Sequence, residues 1–153
     1  MFTETIAARL KSLEIELPNT ASPAAAYVMA VTSGSTVFVS GHIAKQGGKP
    51  WVGKLGLDMD TATGQAAARL IAIDLMATLQ SHLGSLDRIK RIVKVMGLVN
   101  SSESFTEQHL VINGCSELLL TVFGEAGKHA RSAFGVAQIP LGACVEIELI
   151  AEI

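Results

Sequence analysis

The stretch Arg131-Ser132-Ala133-Phe134-Gly135-Val136-Ala137-Gln138-Ile139-Pro140-Leu141-Gly142-Ala143-Cys144-Val145-Glu146-Ile147-Glu148-Leu149-Ile150 runs almost to the end of the chain. Pro140-Leu141-Gly142 divides it into two runs that read as strands, Arg131 to Ile139 and Ala143 to Ile153. In the second run, period-two alternation puts Ala143, Val145, Ile147, Leu149 and Ala151 on one face. Cys144, Glu146, Glu148, Ile150 and Glu152 then take the other. A simple hairpin about Leu141 would set Glu146 opposite Val136. Arg131 would then lie five residues further along, about 17 Å away at ~3.4 Å per residue. One small ligand cannot span that gap. Either the two strands are not direct neighbours, or Arg131 and Glu146 meet across a subunit boundary.

Working back from that stretch, a helix is expected from Ser101-to-Thr106 turn residues to about Phe123, ended by Gly124 and Gly127. Its apolar stripe is Val111, Ile112, Cys115, Leu118, Leu119 and Val122. Before it, Asp87 to Val99 reads as a strand, with Ile89, Val93, Val95 and Val99 at odd positions. Asp60-Thr61-Ala62-Thr63 opens a long helix to about Leu83, closed by Gly84 and carrying Ala68, Ile71, Ala72, Leu75 and Leu79 on its core face. Ala44 to Leu57 is a Gly-rich excursion around Trp51, and Tyr27 to Thr32 and Thr36 to Ile43 read as strands about Ser33-Gly34-Ser35. The first thirteen residues read as a short helix with Ile6, Leu10 and Leu13 in phase and Thr3 or Thr5 near its cap. Pro18 to Pro23 is a linker. Helices between strands, with a strand pair last, predict an α+β or α/β sandwich whose helices cover one sheet face.

The 153 residues are 49% apolar and 17% charged, with a net charge of −2. That length predicts one domain, and about 68% of the unfolded surface would be buried on folding. The low charged fraction, against a usual ~25%, suggests that part of the surface is hidden in an oligomer. Near-neutral charge disfavours nucleic acid, since the only basic cluster is Arg88, Lys90 and Arg91 with Lys94. Cys115 and Cys144 lie in apolar segments and read as small buried hydrophobes. The acidic start and the short apolar runs predict a soluble, cytoplasmic protein without membrane attachment.

Several chemistries are disfavoured by their missing parts. Gly48-Lys49-Pro50-Trp51-Val52-Gly53-Lys54-Leu55 approaches a P-loop, but Leu55 stands where a magnesium-binding hydroxyl belongs and Pro50 removes an amide. His42, His82, His109 and His129 are too dispersed for a local metal motif. What remains is an Arg beginning one strand and a carboxylate on the next. Arg131 offers a planar fork suited to a small carboxylate, and Glu146 can orient or deprotonate a water. Alternating Glu on an exposed strand face is also ordinary. Asn113 projects opposite the core stripe of its helix, beside His109, Ser116 and Leu120, a mixed surface suited to a partner.

Tyr27-Val28-Met29-Ala30-Val31, Val39-Ser40-Gly41-His42-Ile43, Asn113, and Arg131-Ser132 followed fifteen residues later by Glu146 resemble the RidA/YjgF/L-PSP family. The resemblance covers about residues 24–153, with residues 1–23 as an N-terminal helix and linker extension. It implies a chorismate-mutase-like α+β fold, a mixed sheet with two helices on one face, assembled as a homotrimer with clefts between subunits. It implies cofactor-independent and metal-free hydrolysis of enamines and imines such as 2-aminoacrylate to 2-oxo acids and ammonia. By that resemblance Arg131 clamps the substrate carboxylate and Glu146 positions the attacking water. Gly41 offers backbone groups near the imine nitrogen, Tyr27 and Asn113 wall the pocket, and Ser40 is counted with them among the substrate-binding residues. The chain departs from typical members at His129 (usually proline), Ala133 (often cysteine) and His42 (commonly glutamine). A non-catalytic binder of small carboxylic acids and an RNA-acting translation inhibitor are the alternatives.

Overall fold

The computed structural model describes residues 4–20, 23 and 25–153. Among the described residues there are three α-helices: α1 (Ile6–Ser12), α2 (Thr61–Leu83) and α3 (Gln108–Phe123). The same residues form seven strands, β1 (Ala30–Ser33), β2 (Thr36–Ile43), β3 (Lys45–Gln46), β4 (Lys49–Pro50), β5 (Arg91–Asn100), β6 (Ala130–Val136) and β7 (Val145–Glu152). Five of them form one mixed sheet in the order β1-β2-β7-β5-β6, while β3 and β4 make a small hairpin inside the Gly-rich excursion. Only β5 and β6 run parallel, with α3 as the crossover that a parallel pair needs. β7 is antiparallel to both of its neighbours. So β6 and β7, consecutive in sequence, are separated in space by β5.

The sheet has one covered and one open face. Val37 and Val39 of β2, Ile92, Val95 and Val99 of β5, and Val145, Ile147, Leu149 and Ala151 of β7 are buried with the inner stripes of α2 and α3 in one core. Burying so much aliphatic surface, at about 25 cal/mol per Å², is the main force holding the sandwich together. The Asp60 carboxylate starts α2 by accepting from the Thr63 N–H at 2.8 Å, and Gly84 ends it with φ at 81°. The two helices approach closely because residue 114 has no side chain: a Cβ there would come within 2.9 Å of the Gln65 backbone carbon. The Gln108–Gly127 stretch is long and apolar enough to cross a membrane by composition, with mean hydropathy 1.2. Its stripe, Val111 to Val122, is nevertheless packed on this sheet.

Some boundaries differ from the sequence expectation. Thr5 caps α1, its hydroxyl accepting from Ala8 N–H at 3.2 Å, while Thr3 and part of the Pro18–Pro23 linker lie outside the described residues. The α1 helix docks on α3 and the turn after α2, through Ile6 N–H to Asp87 Oδ1 and Arg9 Nε–H to the Thr121 carbonyl. Tyr27 is not in a strand: pairing starts at Ala30, and Tyr27 occupies a bend. The Asp87–Val99 run begins with a 3-10 turn at Leu86–Arg88, and its phase is broken. A bulge between Ile92 and Lys94 lets Ile92 and Val95 both face the core and turns Val93 outward.

Candidate active site

Sheet register decides where the candidate residues lie. Arg131 pairs with Val95, and Val95 pairs with Leu149, so all three share the helix-covered face. Glu146 pairs with Leu98 and Ile43 and points to the open face. Two strand spacings and three residues along the strand separate their backbones by about 14 Å, on opposite sides of the sheet. One chain therefore does not bring Arg131 and Glu146 together.

On the covered side, Arg131 sits on the edge strand β6 and reaches along α3. Its Nη1 donates to Asn113 Oδ1 at 2.8 Å and to Ser116 Oγ at 3.3 Å, and Nη2 donates to the His109 carbonyl at 3.1 Å. The outward face of α3 predicted from the stripe thus holds the guanidinium, and Asn113 is in direct contact with it. Ser116 was legible only as part of a mixed surface. Its partner His129 was legible only as a departure from the family pattern.

On the open side, Glu146 is half-buried and lies against Gly41. A Cβ at residue 41 would stand 3.1 Å from Glu146 Cδ and 3.3 Å from Cγ, closer still to Oε1. The close approach is possible because residue 41 is glycine. Burial, aided by the like charge of Glu148, pushes the Glu146 carboxyl above its usual range. Ser40 and Gly41 fall in a bulge, between the Val39–Leu149 and His42–Ile147 pairs, and have no partner on β7. Ser40 Oγ donates to the Val28 carbonyl at 2.6 Å and its N–H to Met29 at 2.9 Å. Ser40 therefore anchors the segment that follows Tyr27, and Tyr27 itself is exposed.

The bulge is pinned from behind by His42, which the spacing rules did not single out. Its Nδ1 lies 2.6 Å from the Ser40 carbonyl and its Nε2 lies 2.8 Å from Thr78 Oγ1 of α2. A carbonyl only accepts, so Nδ1 carries the proton. Burial holds this histidine below its ordinary pKa and therefore neutral, so Thr78 donates to Nε2. A hydroxyl one helix away from a strand histidine leaves no local sequence spacing to find. Cys115 and Cys144 are buried free thiols pushed up to about 12 and about 11 by desolvation. Neither is a nucleophile at neutral pH. Among the described residues no three His, Cys, Asp or Glu side chains cluster as metal ligands.

The family pattern described as "YjgF/chorismate mutase-like, putative endoribonuclease" matches residues 7–153. Protein TCP17 of Trypanosoma cruzi is 49% identical over 150 residues, covering 97% of this chain and 94% of that protein. The solved structure of a protein of unknown function from Agrobacterium tumefaciens aligns at TM-score 0.89 and 44% identity, over 97% of this chain and 93% of that one. A Shewanella oneidensis structure described as a "putative endoribonuclease" aligns at TM-score 0.94 and 34% identity, over 98% and 100%. With this breadth of match added to the five-stranded sheet and its paired helices, the chain belongs to the YjgF/RidA/L-PSP family.

Proposed function

We propose that this protein hydrolyses 2-imino acids, and the enamines that tautomerise to them, to 2-oxo acids and ammonia. The observation that supports this reading best is the half-buried Glu146 carboxylate seated against Gly41. There a proton acceptor with raised basicity lies directly against the glycine of a strand bulge, with no side chain between them. A small planar iminium fits against such a backbone better than a branched or bulky substrate does.

The chemistry needs no redox partner. Water attacks C2 of the iminium as Glu146 takes one of the water's protons, giving a carbinolamine. Glu146 returns that proton to nitrogen, and the C2–N bond breaks as the remaining hydroxyl proton passes to Glu146 and the C2–O double bond forms. Ammonia leaves and the 2-oxo acid remains. Arg131 holds the substrate carboxylate by two parallel hydrogen bonds from the Nε and Nη2 edge, while Asn113 and Ser116, both on Nη1, keep the guanidinium in place. In this reading Tyr27 walls the cleft between subunits.

Because Arg131 and Glu146 lie on opposite faces of one sheet, this reading requires Arg131 of one subunit to meet Glu146 of the next. We propose a homotrimer with three such clefts. The open face supports association: Val31, Phe38 and Phe134 are 50%, 47% and 45% exposed, and they stand on the side of the sheet that neither helix covers. On that face Glu146, Glu148 and Glu152 outnumber Arg91 and Lys94, so it offers no basic track for an RNA backbone, which weighs against the translation-inhibitor alternative.

The test is ammonia release from 2-aminoacrylate generated in situ, measured against spontaneous hydrolysis, for wild type and Glu146→Gln. Turnover should fall by about 10²–10⁴-fold in the variant, the range for a positioned acid–base group. Equal turnover by both proteins would refute the water-activating role. Wild-type turnover no faster than background, with 2-oxo acids still bound, would favour the binding-module alternative.

A further inference from the structure

Arg131 is itself held by a hydrogen-bonded chain whose direction can be worked out atom by atom. His129, two residues before Arg131, places Nδ1 at 2.6 Å from the Gly127 carbonyl oxygen. That oxygen only accepts, so Nδ1 carries a proton. Burial, and the positive charge of Arg131, hold His129 below the ordinary histidine pKa, leaving a neutral ring at pH 7 with a bare lone pair on Nε2. Ser116 Oγ lies 2.8 Å from Nε2 and must give its one proton there. Its lone pairs are then all that it can offer Arg131 Nη1, 3.3 Å away. The polarity is fixed throughout: Arg131 donates to Ser116, Ser116 to His129, and His129 to Gly127.

This chain borders open space. A groove of about 320 Å³ is lined by Ser116, Leu120, His129 and Arg131, together with Asn113 and Lys128. Besides Arg131, the charged groups around the ring are Lys128, which pairs with Glu125 at 2.8 Å, and Glu117 on the groove wall. A proline at residue 129 could not build the chain, because it has no ring proton to give and no nitrogen lone pair to accept.

We infer that Ser116 and His129 are positioning residues for the Arg131 clamp, fixing the guanidinium so that its outward N–H edge meets a small carboxylate. The inference rests on the reading of Arg131 as that clamp. It adds that clamp geometry in this chain depends on the Ser116–His129 pair and not on Asn113 alone. Neither residue touches the substrate.

Isothermal calorimetry with pyruvate, on wild type, Ser116→Ala, His129→Ala and the double variant, tests it. Each single variant should bind about ten-fold more weakly, the order expected when a hydrogen bond to a charged group is lost. The double variant should bind no more weakly than the weaker single, because the two residues act in series. Ser116→Thr should recover most of the affinity. Wild-type affinity in both single variants, with Arg131→Ala still losing binding, would overturn the inference while leaving the clamp reading intact. Additive losses would also overturn it. Absence of pyruvate binding by wild type would instead count against the clamp reading, and an independent readout then decides on the chain itself. Imidazole ¹⁵N NMR should show His129 as the neutral Nδ1–H tautomer near pH 7, with a pKa that rises in Arg131→Ala. An Nε2–H tautomer, or no response to Arg131→Ala, would refute the coupling.

Discussion

Gly41→Ala is the smallest change that reaches Glu146 without altering it. The new Cβ would stand 3.1 Å from Glu146 Cδ and 3.3 Å from Cγ, with Oε1 nearer still. Ordinary contact begins near 3.4 Å, so the carboxylate has to swing away by about 1 Å. The backbone at residue 41 is not in the left-handed region, so alanine brings no torsional strain. The obstacle is the end of a flexible side chain, and stability should fall by no more than about 1–3 kcal/mol, the usual range for overpacking. Catalysis is far less tolerant, because a displacement of about 1 Å can cost about 10²-fold, or ~2.7 kcal/mol in the barrier. Steady-state ammonia release should show that fall in kcat, with the fold verified by circular dichroism and pyruvate affinity close to wild type. Wild-type kcat in a folded Gly41→Ala protein would show that the location of Glu146 over residue 41 has no catalytic meaning.

Arg131→Ala should weaken pyruvate binding by tens- to thousands-fold, and Arg131→Lys should recover little, since an ammonium cannot make two parallel bonds; calorimetry reads both. Gly114→Ala should destabilise by about 1–3 kcal/mol, because the added methyl meets the rigid backbone at Gln65; urea denaturation measures this. Lys54→Met should cost about 1–3 kcal/mol, since Asn100 is buried and would lose the 2.7 Å bond from Lys54 Nζ. His42 and His129 both have folded pKa values below their unfolded ones. The unfolded chain therefore binds more protons as pH falls through about 6.5, and stability present above that pH is lost below it, at no more than about 1.4 kcal/mol per pH unit for each. Urea midpoints at pH 8.0 and 5.5 should show the loss, and His42→Gln should lessen it.

How far the sequence reaches depends on the range of the interaction that sets each feature. The stripes of α2 and α3, the Asp60 cap and the Gly84 stop are local, and the chain spells them out within a turn or two. The alternation of β7 is equally legible, because strand period depends only on adjacent residues. Phase failed where a bulge intervened: Val93 was aligned with Val95 and turned out to face away, since the extra residue is fixed by pairing with β7. Tyr27 was assigned to a strand by its β-favouring neighbours, yet Ser40 ties that segment down before pairing starts.

The site divides along the same line. Arg131 and Glu146 were visible as residue types, and the hairpin calculation already showed that neighbouring strands could not join them. The sheet order supplies the reason: β5 lies between β6 and β7, and the two side chains leave opposite faces. Their supports were invisible because each is made by a histidine on one element and a hydroxyl on another. His42 with Thr78 and His129 with Ser116 are 36 and 13 residues apart. Both histidines give Nδ1–H to the carbonyl two residues earlier and take a helix hydroxyl on Nε2. The two positions at which the resemblance expects another residue and this chain has a histidine thus share one wiring, both on the helix-covered side of the sheet. A substitution that looks like divergence at each position separately is, in three dimensions, the same solution used twice: a neutral imidazole links a helix hydroxyl to the backbone two residues earlier, once behind the Gly41 bulge that Glu146 lies against and once beside Arg131.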